Sequence, residues 1–192
     1  YITLEQALHE FSEFTKKPVF KSISLRPAQH YLLEKLQEAV DDGYKYINAG
    51  FCVRVGKTII SLSHAAKNNC MPVYIGKNLT SQSSAKADNE EFGIVPEMVT
   101  VSIHGNDCEL EDGDSAIVSR VIAKIDAENT QDKPIIVYVD EVDDASHTMR
   151  SRNVITPVVN HYKKLGKFAH IVTMSGTRIY RGEKILKDLT EN

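Results

Sequence analysis

Tyr44-Lys45-Tyr46-Ile47-Asn48-Ala49-Gly50-Phe51-Cys52-Val53-Arg54-Val55-Gly56-Lys57-Thr58 decides the fold. Residues 44–51 read as a buried strand, and directly after Thr58 the apolar residues Ile59, Ile60, Leu62, Ala65 and Ala66 recur at helical spacing. A Gly-Lys-Thr at such a turn gathers three kinds of donor: backbone N–H groups that the helix's first turn leaves unpaired, an ammonium and a hydroxyl. These suit the phosphates and metal of a nucleotide. Backbone donors of Val53, Arg54, Val55, Gly56, Lys57 and Thr58 are expected to face the β-phosphate, with the Lys57 ammonium at the β and γ phosphates and the Thr58 hydroxyl at a Mg²⁺ position. A strict Gly-x-x-x-x-Gly-Lys-Thr loop would need glycine at 51; that residue is Phe51, and Gly50 lies one place too early.

Working outward, strands and helices alternate. Arg26-Pro27 opens a helix with Tyr31, Leu32, Leu36 and Val40 on one face, and Asp41-Asp42-Gly43 stops it. Strands are predicted over 71–76, 98–104, 134–139 and 168–174, and helices over 79–91, 116–127 and 154–165, with a closing helix near 183–189. Ahead of all these, Thr3-Leu4-Glu5-Gln6 has the form of a capping box before a short leading helix, so residues 1–23 form a lead-in and 24–192 one domain. Short apolar strands joined by helical crossovers imply a three-layer α/β domain with a mainly parallel sheet. The acidic stretch 106–114 is the expected mobile loop.

In such sheets ligands bind at the carboxyl ends of strands. Gly56-Lys57-Thr58, Asp140-Glu141 and Ser175-Gly176-Thr177 each follow a predicted strand, so they are expected to converge on one edge. Asp140, ending the apolar run Ile135-Ile136-Val137-Tyr138-Val139, suits Mg²⁺ coordination, and Glu141 suits a general base that polarises the attacking water. An ordinary acidic turn after a strand is the structural alternative. Together with Lys57 the pair reads as an ATP-hydrolysing site.

Bulk properties narrow the remaining classes. The 192 residues are 42% apolar, enough for one core, and no apolar run nears the ~20 residues of a membrane span. The first residues lack the basic start and apolar middle of a signal peptide, so an intracellular protein, cytoplasmic or nucleoid-associated, is expected. Cys52, Cys70 and Cys108 are odd in number and lack metal-ligand spacing; neither disulfide nor zinc is expected. The net charge of −3 conceals +4 over residues 1–86, −13 over 87–144 and +6 over 145–192. That is not a strongly basic nucleic-acid binder, although the basic last quarter can present a local phosphate-facing surface or simply a solvated face.

With Arg26-Pro27-Ala28-Gln29, Gly56-Lys57-Thr58, Asp140-Glu141-Val142-Asp143 and Ser175-Gly176-Thr177 in that order, the chain resembles the first RecA-like domain of superfamily 2 (DEAD/DEAH-like) helicases and translocases, over about residues 24–181. Leu25-Arg26-Pro27-Ala28-Gln29 looks like the family's adenine-recognition segment. That likeness places Arg26 and Gln29 at the nucleotide, with the Gln29 amide on the adenine edge, where it donates and accepts at once. As structure alone, Gln29 is a polar residue near a helix start. Residues 52–58 are similar to the Arg-x-Gly-Lys-Thr variant of motif I, with Arg54 in a glycine's place; arginine does not readily take positive φ.

Tyr74-Ile75-Gly76-Lys77-Asn78-Leu79-Thr80 resembles motif Ia, which implies Lys77, Asn78 and Thr80 as nucleic-acid phosphate contacts, although a capped helix start would use the same residues. Met174-Ser175-Gly176-Thr177 is similar to motif III, implying that Ser175 and Thr177 couple nucleotide state to strand binding. The resemblance implies ATP and Mg²⁺ as cofactors, nucleic acid as partner with DNA ahead of RNA, and a second RecA-like domain, absent from this chain, that supplies arginine fingers. Hydrolysis by the chain alone is then expected to be weak. Two other classes compete: a P-loop phosphotransferase acting on a small molecule, with Arg150 and Arg152 as lid residues, and a non-catalytic nucleotide-binding or nucleic-acid-binding scaffold.

Overall fold

The computed structural model describes residues 24–51, 54–76, 79–102, 113–140 and 145–175, with the backbone alone for 79–82, 102, 145–152 and 175. The elements run α1 (Pro27–Asp41), β1 (Tyr46–Gly50), α2 (Lys57–Lys67), β2 (Met71–Gly76), α3 (Leu79–Phe92), β3 (Val99–Ser102), α4 (Asp114–Glu128), β4 (Ile135–Val139), α5 (Ala145–Lys164) and β5 (Phe168–Ser175). The predicted leading and closing helices, and all but the last two residues of the acidic stretch, lie outside the described residues; those two, Gly113 and Asp114, begin α4.

The five strands form one sheet in the order β1-β5-β4-β2-β3, every neighbouring pair parallel. Parallel pairing follows from the sequence: the central strands β2 and β4 are nearly all apolar and each connection carries a helix, so both faces are covered. One core joins Met71, Val73 and Ile75 of β2 and Ile135, Val137 and Val139 of β4 to α4 and α5. The other joins Tyr74, Ile136 and Tyr138 to Leu36 of α1, Ile60, Leu62 and Ala65 of α2, and Ala85 of α3. Among the described residues no helix is long and apolar enough to cross a membrane.

Strand parity now fixes the site. Successive side chains of a strand point to opposite faces, so if Ile136 and Tyr138 face α2, the residue after the strand on the same parity is Asp140. The main-chain ladder continues that far, because the Asp140 N–H donates to the Ile75 carbonyl at 2.9 Å. Because β1 and β4 are parallel within one sheet, the start of α2 meets the end of β4 at the same rim.

One boundary differs from the expectation. The helix predicted over 154–165 begins at Ala145, because residues 145–153 carry no apolar stripe and periodicity registers only from Val154. The added turns are tied down elsewhere, where Asn153 Nδ2 donates to Asp114 Oδ2 at 2.7 Å. Pro157 stands inside this helix without ending it.

Candidate functional site

At the rim, Lys57 Nζ lies 2.7 Å from Asp140 Oδ1, with the two side chains 19% and 10% exposed. The hydroxyl of Tyr74 donates to the other oxygen, Oδ2, at 2.8 Å. The cation that opens α2 and the anion that follows β4 therefore meet in one partly desolvated place at the rim, where a charge pair interacts more strongly than in bulk water. Hydrogen bonding to an ionised group adds to this, so the carboxylate is held from two sides.

The loop leading to Lys57 is shaped by two left-handed residues. Gly56 caps α2 with φ 86° and ψ 51°, and its carbonyl accepts the first helical bond from the Ile60 N–H at 3.2 Å. A β-carbon on Gly56 would sit 2.5 Å from Gln29 Nε2, so the position needs glycine for its conformation and for the close approach. Arg54 has φ 63°, contrary to the expectation that arginine would resist the glycine-like conformation there, and its side chain is exposed. Its cost is of order 1–2 kcal/mol, and the loop's anchoring on both sides of Arg54 holds the residue in that conformation.

One anchor is Gln29. Its Nε2 donates to the Val55 carbonyl at 2.9 Å, and its Oε1 accepts from the Arg26 N–H at 2.9 Å, so one side chain closes the start of α1 and braces the loop before α2. It is buried, at 6% exposure. The other anchor is Phe51, 3% exposed within the core on the α2 side, which explains why the strict glycine pattern is broken: this position belongs to the core. Within α2, Ser61 Oγ donates to the Lys57 carbonyl at 2.9 Å and contacts Met174 Sδ at 3.2 Å.

Beside Gln29 is a cavity of about 150 Å³ lined by Ser24, Arg26, Gln29, Ile59 and Phe92. Arg26 and Gln29 were expected at a nucleotide from the sequence, and Ser24, Ile59 and Phe92 were not singled out. Phe92 ends α3, far along the chain, and no local pattern links it to α1. Tyr74 was also missed as a site residue, although the parity of β2 and β4 was the signal that would have found it.

Of the other expected residues, Thr58 lies half-buried in the first turn of α2, next to Lys57. Val53, Lys77, Asn78, Glu141 and Thr177 lie outside the described residues, as do the side chains of Thr80, Arg150, Arg152 and Ser175. For Ser175 the backbone ends β5 opposite Gly50 of β1, at the rim from which the loop departs.

Beneath the site is a buried polar group. His64 Nδ1 of α2 is 2.9 Å from the Tyr138 hydroxyl of β4, and the His64 ring lies 5.0 Å from that of His170 on β5. His64 and His170 are 0% and 2% exposed, and the Nε2 atoms of both have no hydrogen-bond partner among the described residues. Burial, with the Lys67 charge adding to it, lowers the pKa of His64 to about 4; burial, then His64 and Lys45, lowers that of His170 to about 3. Burial likewise raises the Tyr138 hydroxyl well above its usual range. His64 and His170 are thus neutral core histidines.

No family model matches this chain, and neither does any curated protein. Among solved structures its fold is similar to the crystal structure of the UvsW helicase from bacteriophage T4, with a TM-score of 0.51 and 10% identity, over 96% of this chain and 66% of that one. At that identity the likeness concerns fold alone: the five-stranded parallel sheet with helices on both faces, which the alternation of elements led one to expect, matches a RecA-like domain of that neighbour.

Proposed function

We propose that this chain is the ATP-binding half of an ATP-dependent nucleic-acid helicase or translocase. The observation that carries it is the 2.7 Å contact between Lys57 and Asp140 at the carboxyl rim of a RecA-like sheet. An ammonium and a carboxylate so placed are mutual stand-ins: the ammonium occupies the carboxylate where a metal would sit, and the carboxylate occupies the ammonium where phosphate would sit. Triphosphate entry separates them, Lys57 turning to the β and γ phosphates.

The donor set suits Mg²⁺, since the Asp140 carboxylate and the Thr58 hydroxyl are hard oxygens flanking the lysine, and this ion takes few protein ligands beside phosphate and water. When bound, Mg²⁺ neutralises charge on the β and γ phosphates. The chain's residues do the rest. Gly56 and Lys57 open α2, whose unpaired N–H groups favour an anion. Gln29 and the cavity with Phe92 receive the adenine, the amide offering both a donor and an acceptor. Glu141 takes the proton of the attacking water, and Lys77, Asn78 and Thr80 hold a nucleic-acid backbone through its phosphates, DNA being the expected partner ahead of RNA. Ser175 and Thr177 report the nucleotide state to that strand, and a second RecA-like domain completes the cleft with arginine.

ATP turnover of a protein that carries this chain together with the second RecA-like domain, measured with and without DNA and RNA, tests this. Nucleic acid is expected to stimulate turnover, and Lys57→Ala and Glu141→Gln to abolish the stimulated rate. Unchanged turnover in both variants, or phosphate transfer to a small acceptor with no response to nucleic acid, would overturn it.

A further inference from the structure

We propose that Tyr74 is a positioning residue that aims the Asp140 carboxylate at the metal of the bound nucleotide; this rests on the nucleotide reading above. Asp140 is the first residue past β4, and its N–H still belongs to the ladder through Ile75. Its backbone is therefore fixed while its side chain retains two rotatable bonds. The Tyr74 hydroxyl, 2.8 Å from Oδ2, removes that freedom and leaves Oδ1 on the Lys57 side.

Tyr74 is suited to this role by its own immobility. It is 1% exposed, its ring belongs to the core beneath α2, and its register partner across the β2–β4 pair is Tyr138. Two tyrosines thus stand side by side on one face with different targets: Tyr138 reaches His64, and Tyr74 reaches Asp140. When Lys57 swings to phosphate, Asp140 gives up its ion pair, and the tyrosine hydrogen bond does not depend on that pair. A carboxylate with one oxygen so engaged presents the other in a set direction, the outer-shell logic by which metal ligands are oriented.

The test is nucleotide affinity titrated against Mg²⁺, from chelator to millimolar, in the wild-type chain, Tyr74→Phe and Tyr138→Phe. In Tyr74→Phe, ADP binding in chelator is expected to match wild type, while the Mg²⁺ concentration for half-maximal tightening rises roughly ten- to a hundredfold. Tyr138→Phe, which loses an equally buried hydroxyl, is expected to keep the wild-type half-point. A Tyr74→Phe half-point equal to wild type, an equal rise in Tyr138→Phe, or a loss in Tyr74→Phe that is the same with and without Mg²⁺ would each overturn the assignment. A wild-type chain that binds no nucleotide would overturn the nucleotide reading as well, whereas Mg²⁺-dependent wild-type binding with an unaltered Tyr74→Phe would overturn the tyrosine alone.

Discussion

Acid should loosen this fold through His64 and His170. Both imidazoles are neutral when folded, with values lowered from 6.5 to about 4 and about 3, whereas the unfolded chain releases them to water. The sign follows: below pH 6.5 the unfolded chain takes up protons that the folded chain refuses. The stability from neutral burial is full above 6.5 and is lost as pH falls from there through about 4 for His64 and about 3 for His170.

By pH 5 the unfolded imidazole is almost fully protonated and the folded one is not, which costs about 2 kcal/mol per histidine, or about 4 kcal/mol for the pair. A small domain has roughly 5–15 kcal/mol in total, so this is a large share. Among the described residues the charges that act on the pair are the cations Lys67 and Lys45, which oppose protonation, and the Tyr138 hydroxyl beside His64 holds its proton. Urea unfolding at pH 7.5 and pH 5 measures the loss, and His170→Leu, of similar volume, should roughly halve it. A pH dependence that is the same in wild type and His170→Leu would refute the reasoning.

Two further substitutions test the loop. Gly56→Ala places a methyl against Gln29 Nε2 and keeps a left-handed backbone, so a loss of about 2–4 kcal/mol in urea unfolding is expected, with weaker nucleotide binding because the brace on Val55 is displaced. Phe51→Ala, a step toward the strict glycine pattern, should cost about 3–5 kcal/mol because the ring is core; a loss below 1 kcal/mol in the same assay would show that Phe51 is dispensable.

Much of this architecture was legible because local signals agreed with the global fold. The strand at 71–76 is bounded as predicted, and the joining of Lys57 to Asp140 followed from placing each after a parallel strand. What was not legible depends on contacts between distant segments. Nothing near Tyr74 announces an acid 66 residues later, and Phe92 reaches Arg26 and Gln29 only through the packing of α3 and α1 on one face. Gln29 was expected at a nucleotide edge; the structure shows its amide bracing the loop through a bond to Val55. Conversely, Arg54 was expected to resist a conformation it adopts, because propensity at one residue yields to anchors on both sides.

Calorimetric titration of the chain with Mg²⁺·ADP, in wild type and Lys57→Ala, addresses the central claim most directly. The account predicts a saturable one-to-one site in wild type and an affinity lowered by roughly tenfold or more in the variant, since a charge-assisted contact to phosphate is lost. Equal affinity in the two proteins, or no binding to either, would contradict it.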